Sequence, residues 1–245
     1  MRTSTSVFAL AVLSSTLCLS QSVANRGQRS SVIATEVKPD MVNEWMAIQK
    51  NELNPVLKKA GINKRNVSRA VFGNTNEFIS ISPLDNYALM DDQARFAKAA
   101  GSQEAWDKIL NKMRRCVVSS RTYITTRLDD MSNVGKEDPP PISVSTRRRV
   151  ASGKMQEYES FVKAEVIPGY NKAKVTYANS RRGFGANSGE VVSTTYYSKM
   201  ADLEAGSPLT RVLGESGVAK LTAKGAGLST IVETVVRRRV PELSY

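Results

Sequence analysis

The chain says the same thing twice. Residues 37–60 (VKPDMVNEWMAIQKNELNPVLKKA) and 150–173 (VASGKMQEYESFVKAEVIPGYNKA) align without a gap at an offset of 113. Val37, Glu44, Lys50, Glu52, Pro55, Lys59 and Ala60 recur as Val150, Glu157, Lys163, Glu165, Pro168, Lys172 and Ala173. Trp45 becomes Tyr158 and Ile48 becomes Phe161, so apolar bulk is kept where identity is lost. A period this long exceeds that of solenoid repeats and marks a duplicated half. The fold must therefore be built twice, and the two copies must fit each other.

Each half reads as the same series of elements. Ser31 to Lys38 alternates like a strand, with Ile33, Thr35 and Val37 on one side. Pro39-Asp40 opens a helix that Asp40 can cap, and Trp45, Ile48, Leu53, Val56 and Leu57 supply its apolar stripe. Pro55 interrupts that stripe and predicts a kink or a restart; Pro168 repeats the interruption, so it belongs to the fold. Residues 67–72 and 77–82 predict a hairpin around Gly73-Asn74-Thr75-Asn76, answered by 180–184 and 190–197 around residues 185–189. A helical region follows, Tyr87 to Arg115 broken near Gly101, and Ala201 to Lys224 broken at 206–208 and at Gly214. Arg121 to Leu128 and Thr230 to Val240 close the halves as strands. Asn133 to Pro141 (NVGKEDPPP) predicts a stiff linker at 133–141 between units at 32–132 and 142–245.

The order β-α-β-β-α-β is the ferredoxin-like unit, an antiparallel sheet with both helices on one face. Two such units can cover each other's open sheet face. In this the chain resembles the dimeric α+β-barrel superfamily, with its antibiotic-biosynthesis-monooxygenase and NIPSNAP-like members. The resemblance rests on element order and duplication across nearly the whole chain. It implies an α+β fold: two tandem ferredoxin-like units with antiparallel sheets packed face to face, a pseudo-dimeric barrel within a monomer. It transfers no activity, because fold and function are separable.

Residues 1–24 read as a signal peptide: Arg2, an apolar run from Val7 to Leu19, and Ser22-Val23-Ala24 as small residues before a cut at Asn25. The expectation is an exported protein, periplasmic or secreted, with a flexible leader at 25–31. Loss of that segment removes Cys18 and leaves Cys116 alone, so no internal disulfide can form. We read Cys116 as a small buried hydrophobe. The formal charge is +12, yet the basic residues are scattered and no nucleic-acid-binding motif is present; no nucleic acid is expected as a partner.

Histidine is absent from all 245 residues. That removes the commonest general base and metal ligand, and with them Ser-His-Asp chemistry and haem held by a proximal imidazole. No metal and no cofactor is called for.

Strand alternation offers candidate site residues. With Val37, Ile79, Ile81, Ile124 and Leu128 toward the helices, Glu36, Lys38, Phe78, Ser80, Tyr123, Thr125 and Arg127 face the other sheet. By alignment, Arg147, Arg149, Val191, Ser193, Thr195, Tyr197, Glu233, Val235, Arg237 and Arg239 do so in the second half. That face predicts a wet cavity for a small polar or anionic ligand, held by Arg147, Arg149, Arg237, Ser193, Thr195 and Glu36. The same arginine runs also suit strand edges that discourage aggregation. A cofactor-independent oxygenase is an alternative, with Tyr123, Tyr197, Glu233 and Arg127 as acid–base and orienting groups. An interaction protein with a basic docking surface is another. The second half, which carries both arginine runs, is the expected place for a site.

Overall fold

The structure is a computed structural model that describes residues 27–135 and 138–245. The expected signal peptide therefore lies outside the described residues, as do Asn25 and Arg26 of the expected leader and Lys136 and Glu137 of the linker. The first half contains β1 (Arg29–Val37), α1 (Val42–Ile48), α2 (Asn54–Lys59), β2 (Asn66–Ala70), β3 (Glu77–Pro83), α3 (Ala94–Ala100), α4 (Gln103–Cys116) and β4 (Val117–Arg127). The second contains β5 (Ile142–Val150), α5 (Met155–Phe161), α6 (Ile167–Lys172), β6 (Thr176–Arg182), β7 (Glu190–Tyr197), α7 (Pro208–Lys224) and β8 (Ser229–Arg239). The leader is shorter than expected: Arg29 to Ser31 are already in β1, held by ladders to β3 and β4.

The repeat is obeyed to the residue. β1, α1 and α2 map onto β5, α5 and α6 at the same offset of 113. Between the helices, Gln49–Leu53 and Val162–Val166 each form one π-turn, in which Asn54 N–H donates to Gln49 O and Ile167 N–H to Val162 O. The wider turn resolves the proline problem, because Pro55 and Pro168 then fall in the first turn of a resumed helix, where a missing N–H costs little. Asp40 does not cap the first helix; it sits in a 3₁₀ turn, and Met41 precedes α1 without a side-chain bond.

The eight strands close one antiparallel barrel in the order β1-β3-β2-β8-β5-β7-β6-β4. The two sheets face each other across its interior and also join edge to edge. The seams are equivalent: β2 pairs β8 from Ser68↔Arg239 to Ala70↔Arg237, and β6 pairs β4 from Arg182↔Thr125 to Ser180↔Arg127. The helices lie outside and bury two cores. Around Trp45 and Phe78, whose ring centroids are 4.6 Å apart, pack Val37, Val67 and Cys116; around Tyr158 and Tyr177 pack Val150, Val162 and Val191.

The halves also exchange their closing turns. Met131, from the first half, is buried in the second half's core, and Leu243, from the second, is buried in the first half's core. The supporting bonds repeat at an offset of 112. Ser132 Oγ donates to Leu128 O at 2.7 Å and accepts from Asn179 N–H at 2.9 Å; Ser244 Oγ donates to Val240 O at 2.8 Å and accepts from Val67 N–H at 2.9 Å. Each core is completed by the other unit's chain.

Candidate functional site

Among the described residues, the barrel encloses a cavity of about 430 Å³ that takes side chains from all eight strands. Pro139–Pro141 of the linker close part of its mouth, and Asp138 is tied there to Lys64 at 3.0 Å and to Arg239. Six arginines (121, 127, 147, 182, 237, 239) and three glutamates (36, 77, 233) reach the wall.

Alternation assigns the strands correctly on β1, β4, β5 and β8 and in the wrong phase on β3 and β7. Glu36, Tyr123, Arg127, Arg147, Glu233 and Arg237 line the cavity. On β3, Ile79 and Ile81 point inward, and Phe78 and Ser80 point to the helices, where Phe78 meets Trp45. β7 follows its counterpart: Val192, Thr194 and Tyr196 line the cavity. Ser193, Thr195 and Tyr197 are therefore corrected as site residues. Ser193 donates to Asn179 Oδ1 at 2.6 Å on the helix side, and Thr195 and Tyr197 are buried there, 3.4 Å apart through their oxygens. Arg149 is also withdrawn from the cavity; its guanidinium is half-exposed at the rim and reaches Glu190 at 3.5 Å. Asn66 of β2 also faces the barrel interior.

Glu190, which sequence reasoning left out of the site, is the electrostatic centre of the second half. It has no exposed surface, and its carboxylate accepts from Arg147 Nη1 at 2.8 Å, Arg182 Nη1 at 2.7 Å and Asn187 Nδ2 at 3.0 Å. Burial pushes its pKa up, but the Asn187 hydrogen bond and the charges of Arg147 and Arg182 outweigh it, and the carboxyl is held below its ordinary value. Burial lowers the Arg147 pKa, and Glu233, in direct contact, together with Glu190 raises it further the other way. The guanidinium of Arg182 also lies 3.8 Å from the centroid of the Tyr123 ring, a cation–π contact inside the barrel.

Glu77 is the counterpart of Glu190 at an offset of 113, and it too binds an arginine at a seam, Arg237. The cation has changed strands. On the β6·β4 seam it comes from β6 as Arg182, and on the β2·β8 seam it comes from β8 as Arg237. The recurring acid was the sequence signal for this pair; the arginine partners carried none, because they are not equivalent positions.

Five of the six cavity arginines hold a carboxylate: Arg127 holds Asp129, Arg147 holds Glu190 and Glu233, Arg182 holds Glu190, Arg237 holds Glu77 and Arg239 holds Asp138. Arg121 donates instead to Gly185 O at 2.9 Å. Three of them keep a buried N–H group with no acceptor among the protein's described groups: Arg182 Nε, Arg237 Nη1 and Arg239 Nε. Arg237 is 5% exposed.

No protein-family model and no curated protein sequence matches the chain. Solved structures do. A monooxygenase candidate from Lactobacillus acidophilus superposes over 87% of this chain and 93% of its own, with 10% identity and a TM-score of 0.55. A chlorite dismutase candidate superposes over 88% and 96%, with 13% identity and a TM-score of 0.54. The chain has the dimeric α+β-barrel fold. A heme-binding protein from Thermus thermophilus is similar over 89% and 93%, with 10% identity and a TM-score of 0.50. At these identities the likeness concerns the α+β barrel and carries no residue of a site. Among the described residues, no group of three or more His, Cys, Asp or Glu is placed to hold a metal ion, and no helix is long and apolar enough to cross a membrane.

Proposed function

We propose that the protein binds a small polar or anionic ligand inside its barrel, between the two halves. The observation that carries this reading is the cavity wall itself, on which six arginines and three glutamates converge. Arginine side chains offer planar donor forks that suit carboxylate and phosphate oxygens. The cavity volume falls within the range of small-molecule sites, roughly 300–1,000 Å³. Isothermal titration calorimetry with inorganic phosphate, sulfate and both short and aromatic carboxylates tests the reading on the wild type and on Arg237→Met. Saturable binding that weakens in the variant supports it. No heat from any probe, at concentrations up to the millimolar range, would refute it.

Haem is not part of this proposal. One similar structure is described as heme-binding, but this chain has no histidine to offer. Cys116 is sealed in a core with Sγ donating to Lys112 O at 3.4 Å. Of the cavity tyrosines, Tyr123 lies under Arg182, and burial raises the pKa of Tyr196 and keeps its phenol protonated.

A second reading, supported by likeness to the monooxygenase candidate, is cofactor-independent oxygenation of an acidic phenol or quinol. Glu36 suits the base: its partners are Asn74 at 2.8 Å and Ser119 at 3.2 Å, with no cation among the described residues. Oxygen consumption over a panel of phenols and quinols, lost in Glu36→Gln, tests it. Export belongs to the proposal as well, supported by the N-terminal pattern. Mass spectrometry of the exported protein should find an N-terminus at Asn25.

A further inference from the structure

The cavity wall has two characters, and this narrows the ligand that the barrel reading calls for. β-ladder register places Val32 opposite both Ile81 and Tyr123, and Ala34 opposite Ile79. All five line the cavity. Ala34, Ile79 and Ile81 form an apolar floor across β1 and β3, while Val32 is buried and Tyr123 is covered by Arg182. Ile81 remains 41% exposed although it points into the barrel. Apolar surface wetted inside a cavity is stabilised when an apolar body displaces the water.

The floor ends at donors. Ile79 is opposite Ser68, and Ser68 is opposite Arg239, with Arg237 two residues earlier on the same strand and the same face. Glu77 compensates Arg237, and Asp138 is shared between Arg239 and Lys64, so the group keeps one surplus positive charge. A multiply charged group such as phosphate would bury charge without a counter-ion, which is costly. A single carboxylate would match the one surplus positive charge.

We infer that the ligand is a monoanion with an apolar body, a carboxylate on an aromatic or aliphatic frame, lying on Ala34, Ile79 and Ile81 with its head toward Arg237 and Arg239. This rests on the reading of the cavity as a binding site. The test uses 1-naphthoate, the neutral 1-naphthamide and inorganic phosphate as probes in calorimetric titration of the full chain. Wild-type protein should bind 1-naphthoate saturably and at least tenfold more tightly than either other probe. Arg237→Met should weaken 1-naphthoate at least tenfold. Ile81→Trp, which fills the floor from a half-exposed position, should abolish binding while circular dichroism and the thermal midpoint stay near wild type. Phosphate binding that is as tight as 1-naphthoate binding and depends on Arg237 would overturn the inference and leave the cavity reading standing. Naphthoate binding indifferent to both substitutions, or no binding of any probe, would overturn both.

Discussion

Replacing Glu190 by Gln keeps the side chain's shape and removes one charge from the most buried acid among the described residues. The cost can be apportioned from its partners. Arg149, with its side chain 55% exposed, returns to water. Arg147 keeps Glu233. Arg182 is the group left stranded: its side chain is 8% exposed, and Glu190 is its carboxylate partner. Breaking a buried pair from one side costs about 3–5 kcal/mol, and the Gln oxygen can still accept one hydrogen bond, so the lower figure applies. At about 2–4 °C per kcal/mol for a chain of this size, the thermal midpoint should fall by roughly 6–12 °C. Calorimetry or circular dichroism melts at neutral pH measure it. Glu233→Gln is the control, because Glu233 is 42% exposed and an exposed pair is worth about 1 kcal/mol or less. The pH dependence adds a sign. The folded pKa of Glu190 lies below its unfolded value, so its stabilisation is complete above the ordinary carboxylate range and is lost as pH falls through that range toward the folded value. Wild type should therefore lose stability below about pH 5 more steeply than Glu190→Gln. Equal losses in the two variants, or parallel acid limbs, would refute the view that Glu190 organises the second half.

Three further outcomes follow from particular contacts. Leu243→Ala, at a side chain with no exposed surface in the other unit's core, should cost about 2–5 kcal/mol in urea unfolding; a loss under about 1 kcal/mol would show that the exchanged turns are ornamental. Burial, and then the Glu44 charge, raise the Cys116 thiol pKa, so Ellman's reagent at pH 7–8 should react with the unfolded chain and not with the native one. In Gly185→Ala the new Cβ would lie 2.4 Å from Thr122 O at a φ of +80°, so the β6–β7 hairpin must shift and Arg121 lose its carbonyl; melting should show a loss above about 1 kcal/mol.

The duplication made most of the fold legible. Pro55 and Pro168 announced a shared irregularity, although not its form, because a π-turn leaves no pattern of its own in side-chain spacing. The site was half legible. β4 and β5 turn mostly polar residues to the cavity, so alternation finds their phase, and β1 and β8 follow from Glu36 and the Arg237 and Arg239 pair. β3 offers no such contrast: Phe78 on one face and Ile79 and Ile81 on the other are all bulky, as expected of a strand covered on both sides. Its phase is set by Trp45, a contact that no local rule supplies, and alignment carried the error to Ser193, Thr195 and Tyr197. The exchanged turns were readable only by comparing Leu128–Ser132 with Val240–Ser244, where Met131 answers Leu243.

The halves share a backbone and have exchanged their polarity. On the cavity side, Val32, Ala34 and Ile81 of the first half correspond to Ser145, Arg147 and Thr194 of the second. On the helix side the order reverses. Gln49 and Asn54 are buried in the first half, where Asn54 and Ser80 accept from Arg65 at 2.6 and 2.8 Å, and burial takes the Arg65 pKa down to about 10. The second half has Val162 and Ile167 at the corresponding positions. A dimer of two identical units would put the same residues on both sides of its barrel: two apolar floors or two polar walls. Only a duplicated chain whose halves have diverged can set an apolar floor across from a polar wall.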